Sequence, residues 1–168
     1  MKTITTNVYE FDELSDKAKE KARDWYKEGD DFDSLSDDMT EALSTLLKKN
    51  KIKCDKPDIQ YSLGYCQGDG AMFAGVCEWK KYTIKVTQSG HYYHYNSKQF
   101  AITLTKTGEE PVNYAEVEEK FNTVYVKMCR ELESVGYKYI EYQRSNESVD
   151  ENIRANEYTF TESGKRFG

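Results

Sequence analysis

The sequence predicts an α+β fold: one domain over residues 1–168, with a mostly antiparallel sheet of about five strands and helices packed mainly on one face. Three observations predict it. Apolar residues recur every three to four positions from Leu14 to Leu47 and again from Asn113. Between those segments the period falls to two. The strand-like runs of the middle third follow one another through short links, the pattern of an antiparallel meander.

Residues 3–10, TITTNVYE, alternate Ile4, Thr6 and Val8 with polar neighbours and read as a first strand. Ser15 caps a helix over 16–28 that Gly29 closes. Leu14, Ala18, Ala22 and Trp25 share its apolar face. After the acidic run DDFDSLSDD, Asp37 and Asp38 fall in the first turn of a second helix, where they oppose its dipole. Leu35, Met39, Ala42, Leu43, Leu46 and Leu47 form its buried stripe.

Strands follow at Ile59-Tyr61-Leu63-Tyr65, Ala71-Phe73-Gly75-Cys77-Trp79 and Tyr82-Ile84-Val86, each with alternating neighbours. Lys80-Lys81 makes a turn, Gly90 leads into HYYHY, and Phe100, Ile102 and Leu104 mark a last strand. Asn113 with Glu116 starts the longest helix in a pattern related to the capping box. Tyr114, Val117, Phe121, Val124, Met128, Leu132 and Val135 supply its stripe, the largest in the chain, so this helix should lie across the sheet. It continues over Gly136 to Tyr142 or breaks there, since glycine costs about 1 kcal/mol in a helix interior. Ser148 and Glu151 form a capping box for a short helix ending near Asn156, and EYTFT reads as a final strand.

Composition narrows the function. A net charge of −6 opposes long-range attraction to DNA or RNA, although a local cluster of donors still suits a small anion. Charged residues make up 32%, consistent with solvated helix faces, and the 14 tyrosines combine an apolar ring with a polar tip. No run nears the roughly 18 apolar residues of a membrane helix, and the N-terminus reads as strand, not as a signal peptide. The four cysteines are scattered without a CxxC pair, which points to reduced thiols in a cytoplasmic setting and away from zinc.

The stretch YSLGYCQGDGAMFAG, residues 61–75, carries the main candidate site. Gln67, Gly68, Asp69 and Gly70 admit two readings. One is a hairpin turn, which Asp-Gly signals strongly. The other is a binding loop: glycines let backbone N–H groups approach a phosphate, Asp69 accepts from ribose hydroxyls, and Gln67 meets a base. The flanking rings of Tyr61, Tyr65, Phe73 and Trp79 could stack on that base. The loop matches neither a P-loop nor GxGxxG.

In HYYHY, placed on a strand, His91, Tyr93 and Tyr95 share one face while Tyr92 and His94 share the other, which argues against a metal held by both histidines. His91 and Tyr93 join the candidate site, set against aromatic cross-strand pairing. Lys85 and Arg154 are the cations chosen to meet phosphate, against the reading of Lys80, Lys81, Lys98, Lys165 and Arg166 as charges guarding sheet edges. The acidic segment Asp30, Asp31, Asp33, Asp37, Asp38 and Glu41 lacks EF-hand spacing and reads as a solvated loop and helix start.

Three segments, FDELSDKAKEKARDWY (11–26), QGDGAMFAG (67–75) and IRANEYTFTESGKR (153–166), together resemble a group of phage-encoded proteins loosely labelled antitoxins of toxin–antitoxin systems. The resemblance spans most of the chain and carries over no catalytic residue. By looser analogy, a compact phage protein with an aromatic, glycine-lined pocket is similar to sponges that sequester nucleotide signals of bacterial immunity, including cyclic ADP-ribose isomers.

The leading expectation is therefore a phage anti-defence protein of the host cytoplasm. It would bind a nucleotide-derived signal without cleaving it, with no cofactor or metal, in a pocket that a homodimer could complete. Nanomolar capture requires about −12 kcal/mol and a largely closed pocket. The alternatives are an antitoxin-like inhibitor of a protein, with residues 30–41 facing a basic partner, and a cyclic-nucleotide phosphodiesterase using His91 or His94.

Overall fold

The computed structural model describes residues 2, 5–29, 32, 34–105 and 113–168. The fold is α+β, as the change of period predicts. The strands, however, divide between two antiparallel sheets, and the chain gathers into two compact units, residues 1–33 with 139–168 and residues 34–138.

In the first unit, β1 (Tyr9–Glu10), β6 (Thr159–Phe160) and β7 (Arg166–Phe167) form a small sheet in the order β1-β6-β7. The expected strand over 3–10 shrinks to its last two residues, because β6 offers only Phe160 and Thr159 for pairing; Thr3 and Ile4 lie outside the described residues. Helix α1 (Asp16–Glu28) starts at Ser15, whose hydroxyl accepts from the Ala18 N–H, and ends at Gly29. Helix α4 (Asn146–Ala155) starts three residues before the predicted box. Its cap is Ser145, which accepts from the Ser148 N–H, while Ser148 itself is buried inside the helix. Phe11, Leu14, Ala18, Ala22, Val149, Ile153 and Phe160 form this unit's core. Arg23 of α1 grips the Asp150 carboxylate of α4 with two bonds, 2.6 and 2.7 Å, in the fork geometry that gives a charged pair its specificity.

In the second unit, β2 (Ile52–Ser62), β3 (Gly70–Trp79), β4 (Tyr82–Gln88) and β5 (Lys98–Leu104) form a meander in sequence order. Helix α2 (Leu35–Lys49) buries Leu35, Met39, Leu43, Leu46 and Leu47, five of its six predicted stripe residues, and contacts β2. Helix α3 (Tyr114–Gln143), which belongs to this unit up to Lys138, is capped by Asn113, whose side chain accepts from the Glu116 N–H. Phe121 and Tyr125 of α3 meet the rings of Trp79, Phe73 and Phe100 on the sheet. The helix passes through Gly136 without a break. That glycine is buried where Leu63 and Met39 press on the helix, so packing outweighs its low propensity.

The ladder between β3 and β4 covers only residues 75–79 and 82–86. Beyond it Phe73 has no strand partner on that side. Tyr125 takes the strand's place: its hydroxyl donates to the Phe73 carbonyl at 2.8 Å and accepts from the Phe73 N–H at 3.3 Å. A buried backbone amide therefore keeps both its bonds without a ladder.

Candidate functional site

The link between β2 and β3 is not a two-residue hairpin. Seven residues, 63–69, connect them, and the loop closes on itself around one carboxylate. Asp69 accepts from the Cys66 N–H at 2.7 Å, the Ser62 hydroxyl at 2.8 Å and the Tyr137 hydroxyl at 3.3 Å, while its own N–H donates to the Cys66 carbonyl at 3.2 Å. The Cys66 N–H, helped by Ser62 and Tyr137, holds the Asp69 carboxyl below the usual carboxylate range. Asp69 is thus committed to the loop's own backbone instead of standing free for a ribose. Gly70 pairs with Ser62 at the start of the ladder.

HYYHY is a loop, not a strand. The β4–β5 ladder runs to Gln88 and Lys98, Ser89 and Ser97 close it, and a 3-10 turn over Tyr95–Ser97 follows. The strand alternation expected for His91–Tyr95 therefore does not apply. The His94 Nδ1 accepts from the Asn96 N–H and its ring packs on Tyr95, while Arg130 of α3 donates to the Tyr95 hydroxyl.

These two loops, separate candidates in the sequence, meet. A Cβ placed on Gly68 would stand 2.8 Å from the Tyr92 ring, and one on Gly70 would stand 2.6 Å from the His94 ring. Only glycine leaves room for an aromatic ring to lie on the backbone at both places, and Gly68 also has the positive φ of +95° that glycine tolerates. The result is a tyrosine-rich face. Tyr65, Tyr92 and Tyr93 are 58%, 62% and 42% exposed, and the Tyr65 ring rests 4.7 Å from that of Tyr137. Tyr65 sits at φ +57°, a left-handed conformation costly for a bulky residue.

The other predicted residues are distributed elsewhere. Gln67 and His91 are exposed on the two loops, and Tyr61 is half-buried on β2 opposite Ala71. Phe73 is fully buried against Tyr125, in the core. Trp79 packs on Phe121 at the far end of β3, nine residues or about 30 Å along the strand from Gly70. Lys85 points outward from β4, paired across with Val76 and Ala101. Arg154 belongs to the other unit, bound to Asp12. Asp37, Asp38 and Glu41 are exposed on α2, as expected of a solvated helix start; Asp30, Asp31 and Asp33 lie outside the described residues. Tyr92 and Tyr137 complete the face: Tyr92 lies in the HYYHY candidate, on the opposite face from His91 and Tyr93 in a strand reading, and Tyr137 carries no signal in the sequence, since it does not adjoin the glycine loop in the chain.

Surface hollows occur away from the two loops. One of about 420 Å³ is lined by Trp79, Lys80, Lys81, Tyr82, Glu116 and Lys120, and another of about 550 Å³ by residues including Phe11, Asp12, Arg154 and Tyr158. No group of three or more histidine, cysteine or carboxylate side chains that could hold a metal ion occurs among the described residues. No helix among them is long and apolar enough to cross a membrane. Searches of protein-family models, curated proteins and solved structures return no match to this chain.

Removing the Asp69 charge tests the loop's design. In Asp69→Asn the Cys66 amide loses its charged acceptor, and its hydrogen exchange should accelerate at least tenfold. A carboxylate with a lowered pKa stabilises fully above its unfolded value and loses that contribution as pH falls through the folded one. The same amide in the wild type should therefore exchange progressively less protected as the pH is lowered below the usual carboxylate range. Unchanged exchange in the variant would mean that the strand ends, not Asp69, hold the loop.

Proposed function

We propose that this chain is a non-catalytic binding protein whose working surface is the tyrosine face of loops 63–69 and 89–97, and that it holds a protein partner there, as an inhibitor of the antitoxin-like kind does. The observation that carries this reading is the backbone strain at Tyr65. A bulky residue at φ +57° is kept where glycine or asparagine would sit more easily, and its ring is 58% exposed. Strain retained on an exposed aromatic supports a role outside the fold. Tyrosines on an internally pinned backbone give large contact area at low entropic cost, the design of protein-recognition loops. The face is open, which suits a macromolecule better than a small ligand needing enclosure. The net charge of −6 and the exposed Asp37, Asp38 and Glu41 favour a basic partner.

Tyr65→Asn separates fold from function. It should raise stability by about 0.5–1 kcal/mol, because asparagine tolerates the left-handed region. With Tyr92→Ala added, it should lose a stoichiometric partner that the wild-type protein retains from host lysate. Equal retention by both proteins, or by neither, would reject this face as the binding surface.

The second reading is sequestration of a nucleotide-derived signal. It is supported by the 420 Å³ hollow, where Trp79 and Tyr82 stand among Lys80, Lys81 and Lys120, cations and rings suited to a phosphate and a base. Excess protein mixed with the products of a TIR-domain enzyme would deplete the free ligand on this reading, and Lys81→Glu would restore it. An undiminished free-ligand concentration rejects it for those signals.

A further inference from the structure

The β2–β3 hairpin sets Cys54 directly opposite Cys77, with their sulfur atoms 3.0 Å apart and the Cys77 thiol donating to the Cys54 sulfur. Cys77 is fully buried, whereas Cys54 is partly open to solvent. Gly75, two residues before Cys77 on β3, makes the approach possible: a Cβ there would stand 3.0 Å from the Cys54 sulfur and 3.5 Å from Pro57 Cα. We propose that Cys54 and Cys77 form an oxidisable pair that closes reversibly into a cross-strand disulfide.

The required movement is small, about 1 Å between the sulfurs to reach an S–S bond near 2.0 Å. Directly opposed residues of an antiparallel pair have Cβ atoms about 4.5–5.5 Å apart, slightly wider than the roughly 3.5–4.5 Å of a relaxed disulfide. Closing the bond draws the strands together, and strained or part-exposed disulfides are the readily reduced kind.

The chemistry balances with a low-molecular-weight disulfide such as oxidised glutathione as oxidant. The Cys54 thiolate attacks one glutathione sulfur and expels a glutathione thiolate, leaving a mixed disulfide on Cys54. Cys77 then gives up its proton, and its sulfur displaces the second glutathione from Cys54. Two protein thiols are oxidised and one disulfide is reduced to two thiols. The roles follow from position. Cys54 is the reachable sulfur, and the hydrogen bond from Cys77 lowers its pKa below the usual thiol value. Cys77, the donor and fully enclosed, resolves. Cys129 is sealed in the core, where burial pushes its thiol up to about 12. The new bond would close the segment 54–77, which contains the loop 63–69. The proposal stands apart from the binding role assigned to that loop.

The test uses the whole chain, incubated with oxidised glutathione under native conditions and digested without reductant. A Cys54–Cys77 linked peptide is expected, with the free-thiol count reduced by two on the pair and an unfolding midpoint that rises. Dithiothreitol should reverse both changes. Cys66→Ser should form the same link, and Cys54→Ser should not. Glutathione persisting on Cys54 without transfer to Cys77, or both thiols remaining free while exposed Cys66 is fully modified, would overturn the proposal.

Discussion

Gly164→Ala is expected to cost about 3 kcal/mol and to lower the thermal midpoint by roughly 10 °C. Gly164 lies buried in the turn between β6 and β7, at φ +82°, and its missing side chain points at the backbone of Ala18 in α1. The atoms in the way are the Ala18 carbonyl oxygen and carbon and its Cα, none of which a rotamer change can move. The left-handed conformation alone costs alanine about 1–2 kcal/mol. The remainder comes from pushing the turn off the helix, which opens the core around Phe160. Gly90→Ala is the control, because Gly90 shares a positive φ of +93° but has nothing within 4 Å of the added carbon. Far-UV circular dichroism melts of both variants decide the matter: equal losses would mean that the close approach to Ala18 carries no energy.

Tyr125→Phe is expected to cost about 2–4 kcal/mol although it removes a single oxygen. Tyr125 is fully buried, at 0% accessibility, and its ring sits among those of Phe73, Phe100 and Phe121. Phenylalanine preserves that packing. What disappears is the partner of both the Phe73 N–H and the Phe73 carbonyl, and each buried backbone group left without a bond costs about 1–3 kcal/mol. Urea unfolding at constant m-value is the measurement. A loss below about 0.5 kcal/mol would show that β3 finds another partner at its uncovered edge.

The helices were the most legible part of the sequence. Ser15, Gly29, and the stripes of α2 and α3 carry local signals, a cap or a period, that need no distant contact. The errors came where distant contacts decide. Ser145 rather than Ser148 caps α4: the S-x-x-E pattern marks only Ser148, but Ser148 is buried beside Val149 inside the helix, and Ser145 holds the first turn without a box. The strand β7 has two residues, too few for any period, and it is the pairing of β6 with β1 on one side and β7 on the other that sets these strands apart in a second sheet. HYYHY alternates like a strand, yet the glycines at 68 and 70 offer its rings a flat place to pack, so tertiary contact overrode the pattern. For the candidate site, β2 ends at Ser62 and the loop spans 63–69, where the alternation of Leu63 and Tyr65 reads as strand; only the part at 67–70 was legible, from its glycines. Its organising role for Asp69 was not, because a carboxylate that binds its own loop and one that binds a guest use the same residue type. Nearness in sequence puts Phe73 and Trp79 beside the loop, but a strand carries Trp79 to its far end and turns Phe73 into the core.

The inward grip of Asp69 has an evolutionary corollary. The course of the loop is written by Asp69, Ser62, Tyr137 and the two glycines, so exposed residues such as Gln67, His91 and Tyr93 take no part in those bonds. Lineages that preserve the first set are free to rewrite the second, and this corner of the molecule is where specificity can change while the scaffold stays the same.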